Sequence, residues 1–193
     1  MISGAAPGPD GLLRCPWALS APEYLVYHDN EWGRPVTTIQ GIYERMTLEA
    51  FQSGLSWITI LRKRENFRRA FADFQPDRVA AFTEDDVARL LSDPGIVRNR
   101  AKIMAAIENA QVVVDLGRRF SELILSYRVV GRLRPGPEER RATSPESVAL
   151  ARELKGLGFR FFGPTTAYAM MQAIGLVDDH VVGCFAPPPV WPD

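Results

Sequence analysis

The chain has 193 residues, 46% hydrophobic and 24% charged, with 23 basic against 23 acidic residues and a formal net charge of zero. That length supports one substantial core, the composition is that of an ordinary globular protein, and the charge balance excludes polyanion binding by bulk attraction alone. No apolar run reaches the ~18 residues of a membrane span, and the start MISGAAPGPDGLLR has no basic or apolar signal region, so a cytoplasmic protein with no membrane partner is expected.

Residues 1–13, which carry Gly and Pro, read as a disordered leader. Pro22 suits a first helical position, and a short helix runs through Glu23 and Tyr27 until Gly33 and Pro35 end it. From Thr38 to Ser53, Ile42, Met46, Leu48 and Phe51 recur at helical spacing, with Gly54 as a stop. Ser56 is a candidate cap for a helix carrying Ile58, Leu61, Phe67 and Phe71, broken before Pro76. Shorter helices follow from Pro76 to Phe82 and from Glu84 to Leu91, the latter with Thr83 as N-cap. Asp93, Pro94 and Gly95 interrupt the pattern, and Asn99 to Arg118 restores it with Ile103, Ile107, Ala110 and Val114 on one side. Gly131 to Pro145 reads as a loop, Ser144 to about Gly156 as a helix, Thr165 to Ile174 as the last helix, and 185–193 as a flexible tail. Sustained period-two alternation is missing, so the fold class is all-α.

Both cysteines and both histidines fall in two segments near opposite ends, Cys15 with His28 and His180 with Cys184. Two thiolates and two imidazoles make one closed tetrahedral set, which suits a structural Zn2+, one per chain. Such a site joins the N- and C-terminal segments. A Cys15–Cys184 disulfide is the alternative. Asp178 and Asp179, beside His180, are candidates to orient the ligands.

Basic residues cluster at Arg62, Lys63, Arg64, Arg68 and Arg69 and again at Arg98, Arg100 and Lys102, either as phosphate-binding faces or as solvated helix surfaces. The turn at Pro94 and Gly95 between two helices is a helix-hairpin-helix candidate that would hold a DNA phosphate on backbone N–H groups, although most such turns only connect helices. Trp17, Tyr24, Tyr27 and Trp32 crowd near the first ligand pair, and Glu49 stands in an apolar run eight residues before Trp57. Aromatics at helical spacing are usually core. Paired with one carboxylate, they are also what a base-binding pocket requires: faces for stacking and an acceptor for an exocyclic amine.

Arg14-Cys15-Pro16-Trp17, YHDNEWG at 27–33, LEAFQSGLSWITILRKRENFRRAF at 48–71, PGIVRNRAKI at 94–103 and FFGPTTAYAMMQAIGLVDDHVVGC at 161–184 together resemble the 3-methyladenine DNA glycosylase I family, over roughly 14–184. The resemblance implies a single glycosylase domain over 14–184, made of two helical lobes, with the hairpin near 90–103 and the zinc site of Cys15, His28, His180 and Cys184 tying the ends. It makes Glu49 the catalytic-site carboxylate that hydrogen-bonds the extruded base, Trp57 the stacking ring, and Tyr27, Trp17 and Trp32 the rest of the pocket wall. Gly54 and Leu55 would enter the gap left by the flipped nucleotide, while Gly95, Arg98 and Lys102 would meet the DNA backbone. It further implies a bacterial base-excision enzyme acting as a monomer at the nucleoid on double-stranded DNA with alkylated adenine, without lyase activity because no hairpin lysine is placed as a nucleophile. Leu125 stands where the family commonly has Trp. A zinc-stabilised DNA-binding module without catalysis and a zinc hydrolase of small molecules are the competing readings.

Overall fold

A computed structural model describes residues 4–139 and 141–192. Helices dominate it: α1 (Pro22–Asn30), α2 (Ile39–Gln52), α3 (Trp57–Ala70), α4 (Pro76–Ala80), α5 (Glu84–Ser92), α6 (Arg100–Leu116), α7 (Arg118–Ser126), α8 (Pro145–Gly156) and α9 (Pro164–Ala173). The expected helices are all present, with two additions. The pattern expected to run on to Arg118 stops at Gly117, whose φ of +54° breaks the helix, and the chain restarts as α7. Of the leader expected over 1–13, the described residues hold β1 (Ala6–Pro7), which pairs antiparallel with β2 (Leu13–Arg14) at the start of the expected domain. At the other end Phe185 N–H donates to Leu13 O at 2.8 Å and Trp191 packs on the main core.

α2 is the axis of the molecule. Thr38 caps it by accepting from Gly41 N–H, and α3, α6, α7 and α9 all pack against it. Met46 to Phe51 are consecutively buried, which on a 3.6-residue helix means that every face of this turn is covered. Glu49 therefore has no solvent side to turn to. Its burial follows from the packing of α2.

Two local features set the geometry around this axis. Between α3 and α4, Ala72, Asp73 and Phe74 all adopt left-handed backbone, with φ of 51°, 55° and 55°, at a cost of roughly 1 kcal/mol each. The reversal buries Phe71 and Phe74 as rings stacked 5.7 Å apart, and nothing in the residue pattern announces it. At the C-terminus of α2, the Lys102 ammonium on α6 donates to Phe51 O at 2.9 Å and Ser53 O at 2.5 Å. These are orphan carbonyls of a helix end, where a cation is favoured.

Lys102 is thus turned inward onto the end of α2, contrary to expectation. Lys102→Met is expected to cost about 1 to 3 kcal/mol of stability, since it orphans two carbonyls, a loss that denaturant melts check.

Candidate functional site: a buried Cys/His cluster beside an aromatic pocket

Cys15 follows β2, His28 sits on α1, and His180 and Cys184 lie on the segment after α9. All four are buried, and their ligand atoms lie within 4.8 Å of one another. Cys184 Sγ is 3.4 Å from His28 Nε2 and 3.7 Å from His180 Nδ1, and Cys15 Sγ is 3.7 Å from the same Nδ1. Metal–sulfur and metal–nitrogen bonds of about 2.3 and 2.1 Å at tetrahedral angles imply ligand separations of about 3.6 Å. The set could therefore hold one metal ion, and because all four positions come from protein it leaves none open for chemistry. The neighbouring Cys15 thiol, with His180 and His28, holds the Cys184 thiol far below its usual value, while Cys184 and burial drive Cys15 up. A divalent cation would relieve that repulsion and keep both as thiolates.

The cluster is oriented from outside. His28 Nδ1 is 2.9 Å from Asp29 Oδ1, and Asp29 is itself clamped by Arg14. The Arg14 guanidinium, opposed by desolvation and helped by His28, holds the Asp29 carboxyl below its ordinary range. Asp178, expected beside the ligands, accepts from the His180 N–H at 3.3 Å and from Arg134 at 2.8 Å. Asp179 is a correction: it faces away, accepting from Tyr168 Oη at 2.6 Å and Gln172 at 2.8 Å, and lines the neighbouring cavity. Gly33, at φ +76°, is required here because a Cβ would fall 2.8 Å from His180 Nε2.

That cavity, of about 520 Å³, opens beside the cluster. Trp17, Tyr24, Tyr27, Trp32 and Trp57 form its aromatic wall, and Glu49 and Gln52 of α2 meet them. Trp17 is the hinge of the arrangement. It touches Tyr24, Tyr27 and Trp32 at 5.6, 6.4 and 5.1 Å and also the ligand His28 at 5.4 Å. Tyr27 in turn lies 5.6 Å from Trp57, and the Tyr24 hydroxyl accepts from Ile58 N–H at 2.8 Å, fixing α1 to α3. Burial pushes the Glu49 carboxyl up to about 8, opposed only by the positive charge of Arg45. Burial likewise drives the Tyr27 phenol upward, with Glu49 adding to it. Among the described residues no donor pairs with the Glu49 carboxyl, so its hydrogen-bonding capacity is open to a ligand.

The remaining expected residues sit elsewhere. Gly54 (φ +81°) and Leu55 are exposed at the α2–α3 turn, held there by Gln52 Nε2 donating to Leu55 O at 3.0 Å. Gly95 lies in the α5–α6 turn, which docks on α3 through Lys63 Nζ to Pro94 O at 2.8 Å and Asn66 Nδ2 to Gly95 O at 3.3 Å. A Cβ at Gly95 would lie 2.8 Å from Asp93 Oδ1 and 3.1 Å from Asn66, so a larger residue here would have to displace these side chains. Arg98 is exposed and, among the described residues, has no acidic partner. Most of the basic cluster on α3 is not free: Arg62, Arg64 and Arg68 pair with Glu23, Glu31 and Glu44.

Sequence reasoning missed the opposite wall of the cavity, where Pro135 to Pro137, Glu139 and Arg141 join Gln172 and Asp179. The residue pattern of 131–145 predicts only a loop. Arg134 pins it, donating to Asp178, Cys184 O and Ala186 O, but a lone arginine in an aperiodic stretch gives no signal of such a role. Glu31 was visible within YHDNEWG, without any sign that it lies under the pocket.

The model of the family described as Methyladenine glycosylase matches residues 17–187. DNA-3-methyladenine glycosylase 1 of Escherichia coli (strain K12) is 44% identical over 182 residues, covering 89% of this chain and 95% of that protein. DNA-3-methyladenine glycosylase of Haemophilus influenzae is 41% identical over 181 residues, 89% of this chain and 96% of that one. Among solved structures, a crystal structure of 3-methyladenine DNA glycosylase I (TAG) superimposes with a TM-score of 0.83 at 44% identity, covering 90% of this chain and 100% of that chain. The Staphylococcus aureus enzyme does so with a TM-score of 0.83 at 33% identity, over 93% and 98%. With motif order, fold and match agreeing along nearly its whole length, the chain belongs to the methyladenine glycosylase family.

Proposed function

We propose that the protein is a DNA-3-methyladenine glycosylase that flips the damaged nucleotide of double-stranded DNA into the aromatic cavity and hydrolyses its N-glycosidic bond. The observation that carries this reading is Glu49, a buried carboxyl without a protein partner inside a wall of tryptophan and tyrosine. An inert DNA-binding module gains nothing from such a group, because burying it unpaired is destabilising.

The chemistry fits the geometry. N3-methylated adenine in DNA carries a delocalised positive charge, so the base is already a good leaving group. Aromatic faces favour a cationic ring by about 0.5 to 2 kcal/mol per good contact, and Glu49 accepts hydrogen bonds from the amino edge while its ionised form answers the charge. Water adds its oxygen to C1′, the C1′–N bond breaks with its electron pair going to the ring, and the water proton leaves to solvent. The products are free 3-methyladenine and abasic DNA. Selectivity comes from binding, since the pocket need only distinguish a cation from a neutral base.

In the same reading the α5–α6 turn is a helix-hairpin-helix that grips the backbone through N–H groups near Gly95 and the exposed Arg98, and Gly54 and Leu55 fill the gap left by the flipped nucleotide. Zinc at Cys15, His28, His180 and Cys184 closes the N- and C-terminal segments together and supplies no Lewis-acid step, which sets aside a zinc hydrolase. The protein acts as a cytoplasmic monomer at the nucleoid. No helix of the described residues is long and apolar enough to cross a membrane.

The reading is tested by incubating the purified chain with methylated duplex DNA, assaying free base by chromatography and strand nicking on denaturing gels. Release of 3-methyladenine without nicking beyond background is expected. Nicking coupled to release would reveal lyase chemistry, and no release at all would return the protein to the binding-module reading.

A further inference from the structure

Within electrostatic reach of the pocket residues Tyr27 and Glu49 lies a charged cluster in which one guanidinium is only partly answered. Arg45 precedes Glu49 by one turn of α2, so the two side chains leave the same helix face. Its side chain is only 11% exposed. One guanidinium nitrogen donates to Glu31 Oε2 at 2.9 Å, while the other, Nη1, is buried without a hydrogen-bond partner. Glu31 also receives Arg64 at 2.6 and 2.8 Å. Two guanidiniums share this carboxylate, but Arg64 also faces Glu44, the partner of Arg68, so the guanidinium left only partly answered is that of Arg45.

A partly answered guanidinium beside a pocket for a cationic base is unfavourable unless a further negative charge faces it. The groups facing Glu49 narrow the choice. From α1 comes Tyr27, held as the neutral phenol by burial. From α6 comes Lys102, satisfied by the carbonyls of Phe51 and Ser53. Across the cavity Arg141 stands between Glu139 and Asp179, two carboxylates for one guanidinium, and adds no positive charge. In this cluster the guanidinium with a buried, unpartnered nitrogen is that of Arg45, and the unpartnered carboxyl is that of Glu49.

We infer that Arg45, held by Glu31, is a positioning residue that sets the ionisation of Glu49 and thereby the pH range over which the base is released. This rests on Glu49 being the recognition carboxylate. Arg45→Met keeps the aliphatic stem and removes the charge; Arg45→Gln keeps a donor towards Glu31 as well.

Release of 3-methyladenine from methylated duplex DNA is followed under limiting enzyme across roughly pH 6 to 9. The parent rate rises with pH as Glu49 ionises. In Arg45→Met and Arg45→Gln the rising limb moves up by about one pH unit, giving about tenfold slower release at neutral pH that recovers at high pH. Arg45→Lys keeps the parental limb. An unmoved limb in the two neutral variants, or a uniform loss at every pH, overturns the role of Arg45. Glu49→Gln run beside them separates the two claims: parental activity and limb in that variant would remove the premise that Glu49 matters, whatever Arg45 does.

Discussion

Glu49→Gln is expected to lose at least tenfold in single-turnover release of 3-methyladenine, about 1.4 kcal/mol of transition-state stabilisation, while still binding DNA. The same substitution should make the protein more stable, with a defined pH dependence. The Glu49 carboxyl is raised from an ordinary 4.5 to about 8 in the folded chain. Below about pH 4.5 it is neutral in both states and costs nothing. Between there and about pH 8 the unfolded chain gives up a proton that the folded chain retains, so stability falls as pH rises through this window and levels off above it. Glutamine has no such proton. The difference in melting temperature between variant and parent should therefore be small near pH 4.5 and largest near pH 8, reaching a few kcal/mol in free energy. A variant that is both more stable and less active marks a carboxyl kept for function against its folding cost. Equal pH dependence in the two proteins would mean that Glu49 is not a buried acid, and unchanged excision would remove it from the mechanism.

Disrupting the Cys/His cluster should have the opposite signature. Cys184→Ala leaves three ligands and is expected to fall below one zinc per chain and to lose at least about 3 kcal/mol, roughly 10 °C in melting temperature for a chain of this size. Because Trp17 packs on both His28 and Tyr27, the loss should also loosen the aromatic wall and raise KM more than it lowers kcat. Asp29→Asn, which removes the partner of His28 Nδ1, is expected to weaken metal affinity by about 10- to 100-fold without changing the ligand set. Metal analysis and thermal melts before and after chelation check these. A metal-free Cys184→Ala protein that is as stable and as active as the parent would contradict a structural role for the cluster.

The helices were legible because their signals are local. Thr38 before α2 and Pro145 at the start of α8 act within one turn of the residues that reveal them. The Cys/His set that could hold a metal was legible for a different reason: four residues of two scarce types in two segments constrain the fold wherever the intervening chain goes. What was not legible depends on tertiary placement. Lys102 reads as one more cation on a basic helix, and only the approach of α6 to the end of α2 turns it into a cap. Asp179 sits beside His180 in sequence yet accepts from Tyr168 and Gln172 of α9. The left-handed run at Ala72 to Phe74 has no glycine to mark it and exists because two phenylalanines are buried by it. Leu125 packs against the main core from α7, a helix that the residue pattern did not separate from α6.

Free 3-methyladenine titrated into the protein, with tryptophan fluorescence as the signal, tests the pocket without DNA, hairpin or chemistry. Trp17, Trp32 and Trp57 line the cavity, so saturable quenching by 3-methyladenine is expected, at least tenfold weaker for adenine and strongly reduced in Glu49→Gln. Equal binding of adenine and 3-methyladenine, or binding that survives the loss of the Glu49 carboxylate, would contradict the assignment of this cavity as the damaged-base site.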